Sequence, residues 1–84
     1  MKYDLMKVLR ALEALYTCDF NPVDQDWFTR LFCERYQLDV EVEHRRIDGM
    51  LRVLHRQDKI RIDDEGMIHM ENMLTSNLKL EIKG

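Results

Sequence analysis

Val40-Glu41-Val42-Glu43-His44-Arg45-Arg46-Ile47-Asp48-Gly49-Met50-Leu51-Arg52-Val53-Leu54-His55-Arg56-Gln57 is the stretch on which the fold turns. Ile47, Met50, Leu51 and Leu54 stand at i, i+3, i+4 and i+7, the spacing that places side chains on one face of an α-helix. The spacing predicts a helix over about 41–57, with Asp39 and Glu43 as the two residues able to cap its start. Working back toward the N-terminus, Val23, Trp27, Phe28, Leu31 and Phe32 keep the same period. Asn21-Pro22 before them reads as N-cap and first helical position, and Asp24 as an acidic first turn, so a second helix is expected over 22–36. Earlier still, Asp4 precedes Leu5, Val8, Leu9, Leu12, Leu15 and Tyr16, which predicts a helix over 4–17 with Lys7, Arg10 and Glu13 on its outer face.

Beyond Gln57 the period changes from 3.6 to 2. Ile60 and Ile62 alternate with Lys59, Arg61 and Asp63, then Ile68 and Met70 alternate with His69 and Glu71. Strands are expected over 59–63 and 67–71, joined by Asp63-Asp64-Glu65-Gly66, where Gly66 suits the positive-φ position that closes a tight turn. Leu78, Leu80 and Ile82 alternate with Lys79, Glu81 and Lys83, a third strand over 78–83 that pairs in cis or with a second copy of the chain, giving a homodimer. Three helices followed by a hairpin make the fold class α+β.

The chain has 84 residues, one Pro and three Gly, which leaves room for one domain spanning 1–84 and none for a linker. No apolar run exceeds three residues, so neither a membrane helix nor a signal-peptide centre is expected, and the expected compartment is the cytoplasm. A domain of this size buries only about 60% of the surface its unfolded chain exposes and cannot readily enclose a substrate in a deep dry pocket, so an enzyme is not expected. Cys18 and Cys33 read as reduced core residues. His44, His55 and His69 are eleven and fourteen positions apart, with no Cys-x-x-Cys spacing beside them, so neither a metal nor a cofactor is expected. Trp27, Phe28 and Phe32 have the residue type of a base-stacking platform, but at helical spacing beside Leu31 they read as core.

The charges carry the functional information. On a helical wheel of about 100° per residue, Gly49, Arg52 and Arg56 fall within roughly 40° of Arg45, opposite the apolar stripe. Residues 45 to 61 hold six Lys or Arg against two Asp, and leave the rest of the chain with seven basic and fourteen acidic residues. Such segregation suits an electrostatic footprint for phosphates, because arginine offers a forked donor set to phosphate or to guanine edges. Gly49 costs a helix interior about 1 kcal/mol, and on an exposed face it lets another surface approach the backbone. The opposing reading is a solvated outer face, since arginine also covers apolar edges.

The run from Val40 to Ile47, followed by Met50, Leu51, Leu54 and Ile60, resembles the turn, recognition helix and first wing strand of winged helix-turn-helix domains. The opening Met1-Lys2-Tyr3-Asp4 is similar to that of short bacterial and phage proteins of this class. Asp58 stands where that family usually has Gly before the wing, and Glu41 where it commonly has Gly in the turn. The resemblance implies a transcriptional regulator that contacts duplex DNA through the third helix and the wing. The site residues are then His44, Arg45, Arg46, Gly49, Arg52, Arg56, Lys59 and Arg61. Glu41 and Glu43 oppose this, lying where a reading helix first meets the groove. The alternative is a winged-helix adapter or inhibitor that holds an acidic protein partner on the same basic face, or a partner along the Met73, Leu74 and terminal-strand edge.

Overall fold

The structure, a computed structural model, describes residues 3–71. Helix α1 covers Leu5–Thr17, α2 Gln25–Arg35 and α3 Val40–Arg56. Strands β1 (Val23–Asp24), β2 (Arg61–Ile62) and β3 (Met67–His69) form an antiparallel sheet in the order β1-β3-β2. This is the α+β layout of three helices and a wing. The expected strand over 78–83 lies outside the described residues.

Each helix begins on an aspartate whose carboxylate accepts an otherwise orphaned backbone N–H. Asp4 accepts from Lys7 N at 3.0 Å, Asp24 from Trp27 N at 2.8 Å and Asp39 from Glu41 N at 3.0 Å. Asp39 is therefore the cap of α3, and Glu43 lies inside the helix. The start of α2 corrects the sequence expectation. Val23 pairs with Ile68 and Asp24 with Met67, so this dipeptide is drawn into the sheet as its third strand and the helix starts at Gln25 rather than at 22. Asn21, released from capping, accepts from Met70 N at 2.9 Å and donates to the Glu71 carboxylate at 2.7 Å.

The helices end alike, and without glycine. Asp19, Gln37 and Asp58 each follow a C-cap in the left-handed region, with φ of 67°, 56° and 58°. Beyond each, a backbone N–H reaches back to the third-last helical carbonyl: Phe20 N to Leu15 O at 2.9 Å, Leu38 N to Cys33 O at 2.7 Å and Lys59 N to Leu54 O at 3.0 Å. These bonds satisfy carbonyls that the last turn leaves open. Asp58 thus adopts the backbone conformation for which glycine is the usual choice, and its short polar side chain tolerates it.

Ile47, Leu51 and Leu54 of α3 are buried against Val8 and Leu12 of α1 and Phe28 and Phe32 of α2, with Ile60, Ile68 and Met70 of the wing closing the core. Helices α1 and α2 both pack on α3, and hardly on each other. The expected core loses three members. The buried face of α2 is the narrow stripe of Phe28, Thr29, Phe32 and Cys33, so Trp27 and Leu31 lie on its flank and are exposed. Trp27 instead stacks on Phe20, with ring centroids 5.9 Å apart. Cys18, at the end of α1, is exposed as well, while Cys33 is buried and both are free thiols. Met50 and Leu9 are half-buried at the core edge.

Of the three left-handed residues, Gln37 has the side chain least suited to that conformation. Gln37→Gly should raise unfolding stability by about 1 kcal/mol in urea denaturation, because it removes the steric cost at φ 56°. An unchanged or lowered midpoint would show that this turn is not held in the left-handed region.

Candidate nucleic-acid interface

Helix α3 presents two opposite faces, one closed and one open. Arg45, Gly49, Arg52 and Arg56 share the exposed face, and a Cβ built on Gly49 would meet nothing within 4 Å. Arg45, Asp48, Gly49 and Arg52 line a shallow hollow of about 240 Å³ there. The helix macrodipole alone favours acids in the first turn and bases in the last, as in Glu41, Glu43, His55 and Arg56. It does not account for Arg45 and Arg52, which stand outside the last turn.

The remaining expected site residues disperse. Arg46 turns to one side and pairs with Glu43 at 3.5 Å, and that carboxylate also accepts from the Tyr3 hydroxyl at 2.7 Å. Burial, and then the Glu43 carboxylate, push the Tyr3 hydroxyl well above the usual tyrosine range. Burial likewise raises the Cys33 thiol, with help from the negative charges of Glu43 and Asp39, so this cysteine is held as an unreactive thiol. His44 turns to the other side, where its Nδ1 lies 3.6 Å from Asp48 Oδ2. Lys59 and Arg61 are exposed beyond the C-terminal end of α3, Arg61 within β2.

His44 faces an acidic hollow that sequence reading did not anticipate. Asp24, Asp26, Asp48 and Glu65 line it, at the junction of α2, α3 and the wing turn. Gln25 organises this junction: its Nε2 donates to Asp48 Oδ1 at 3.0 Å and its backbone N–H to Gly66 O at 2.9 Å. Gln25, Asp48 and Asn21 are the positioning residues that periodicity misses, because their partners lie 23 to 50 positions away in sequence. His55 Nδ1 accepts from Ile62 N at 3.1 Å, which ties the end of α3 to the first wing strand.

The wing turn is built on one carboxylate. Asp63 Oδ1 accepts from Glu65 N at 2.9 Å and Met67 N at 3.0 Å, while Oδ2 meets His69 Nε2 at 2.9 Å. Gly66 closes the turn at φ 80°, as its position predicts. Among the described residues no group of three or more His, Cys, Asp or Glu is placed to hold a metal ion, and no helix is long and apolar enough to cross a membrane.

No protein-family model, curated protein or solved structure matches the chain.

The hydrogen bond from His69, followed by that from the Met67 amide, holds the Asp63 carboxyl below the usual aspartate range. A lowered folded pKa means that Asp63 supports the turn fully above its unfolded value and loses that support as the pH falls through the folded one. The amide proton shifts of Glu65 and Met67 should therefore titrate with a midpoint below that of a free aspartate, and in Asp63→Asn this acid step should vanish. Its persistence in the variant would assign it to another group.

Proposed function

We propose that the chain is a small transcriptional regulator of the winged-helix kind, which binds duplex DNA chiefly through the phosphate backbone. The exposed arginine face of α3 carries this reading: Arg45, Arg52 and Arg56 stand on one side of the helix around the bare surface at Gly49. Arginines arranged in this way neutralise phosphates and release counterions, and the gap at Gly49 admits a sugar-phosphate chain close to the helix backbone. Lys59 and Arg61 extend the basic set toward the wing. Base reading plays the smaller part, since the first turn of α3 offers Glu41 and the 69% exposed Val42 rather than forked donors. The wing contributes through Arg61 and not through its turn, where Asp63, Asp64 and Glu65 would repel phosphate.

One observation favours a second reading, an adapter that binds a protein. The acidic hollow of Asp24, Asp26, Asp48 and Glu65 adjoins the arginine face, and a surface of both signs matches a protein partner better than a uniformly negative duplex.

Titration of mixed-sequence duplex DNA against salt separates the two. On the DNA reading, Arg52→Glu weakens binding to every duplex and lowers the salt slope by about 1 for each phosphate that is no longer neutralised. Arg10→Glu, on α1, changes it far less. Equal weakening by both substitutions would remove the special role of α3, and no duplex affinity at low salt would leave the adapter reading.

A further inference from the structure

A second surface, built by α1 and α2, has no part in the proposed DNA contact. Because α1 and α2 lean on α3 rather than on each other, a cleft of about 420 Å³ opens between them, floored by Ala14, Leu15 and Phe28 and flanked by Leu31. Cys18 and Phe20 line it too, from the turn that follows α1. Phe20, Trp27 and Leu31 are 50%, 42% and 37% exposed along this one edge, an unusual concentration of large apolar side chains on so small a domain.

Chain connectivity offers one occupant for it. The last described residues are fastened beside Phe20: the neighbouring Asn21 accepts from Met70 N at 2.9 Å and donates to the Glu71 carboxylate at 2.7 Å. Thirteen residues follow Glu71, and among them are Met73, Leu74, Leu78, Leu80 and Ile82. A chain of that length can reach roughly 40 Å, whereas the seven positions from Ala11 to Cys18 rise only about 10 Å along α1. A covalently attached segment also needs no second binding partner to meet the cleft, since its local concentration is set by the short connection.

We propose that the apolar side chains between Met73 and Ile82 dock in the α1/α2 cleft of their own chain. The segment supplies an apolar cover for this apolar cleft, and Asn21, next in sequence to the cleft-lining Phe20, fixes the point from which it starts by bonding Met70 and Glu71.

Trp27 is the sole tryptophan, and its ring is stacked on Phe20 at the cleft edge, so it reports coverage in the full-length chain. Its acrylamide quenching and emission maximum would be compared in the wild type and in Leu78→Asp/Leu80→Asp/Ile82→Asp. The expected result is a red shift and stronger quenching in the triple variant at every protein concentration, with helical circular dichroism retained. Lys79→Asp/Lys83→Asp, which alters charge but keeps the apolar residues, should show neither change. In Leu31→Asp, where the cleft wall itself is spoiled, quenching should already be raised and the triple substitution should add nothing further. Unchanged quenching in the triple variant would overturn the proposal. So would shielding of Trp27 that appears only as concentration rises, which would place a second copy in the cleft.

Discussion

Everything else in the structure depends on the buried seam of α3. Ile47, Leu51 and Leu54 are almost wholly removed from solvent, and they meet α1, α2 and the wing at once. Neither α1 nor α2 has a comparable surface against the other, and strands of two or three residues hold little by their own ladder. The stability of the domain therefore runs through one helix. The same helix carries the arginine face, so the constraint that organises the core also sets the direction in which Arg45, Arg52 and Arg56 point. Apolar burial on one side and exposed charge on the other are consequences of a single register.

Polar contacts then fix what the apolar seam leaves free. Packing alone does not determine how far the wing swings relative to α2 and α3. Gln25 sets that angle by bonding Asp48 and Gly66, His55 sets it again by accepting from Ile62, and Asn21 holds the far end of β3. Each bond joins elements that periodicity treats as independent. The acidic hollow follows from the same junction, because the aspartate that caps α2, the wing turn and Asp48 all converge on it.

Most of the fold is legible in the sequence because its signals are local. Apolar spacing defines the three helices to within a few residues, the change of period locates the hairpin, and Gly66 marks its turn. The misplaced start of α2 has a non-local cause. Nothing within Asn21-Pro22-Val23-Asp24 reveals that Val23 will pair with Ile68, and Asn-Pro-x-Asp is a sound helix start when read alone. Trp27 and Leu31 read as core because aromatic and aliphatic type outweighs the narrow width of the buried stripe. At the candidate interface, the wheel gathers Arg45, Gly49, Arg52 and Arg56 on one face. Counting charge along the sequence cannot separate from them Arg46, which pairs with Glu43, or His44, which faces acid.

Helix α3 is the element through which helices and wing are stabilised together, and the urea unfolding of Leu51→Ala tests this most directly. Two probes are needed, Trp27 fluorescence for the helical layer and the Ile68 amide signal for the wing. The seam predicts a destabilisation of about 2 to 5 kcal/mol, with both probes moving to the same lower midpoint. A midpoint that stays in place, or a wing that melts apart from the helices, would contradict it.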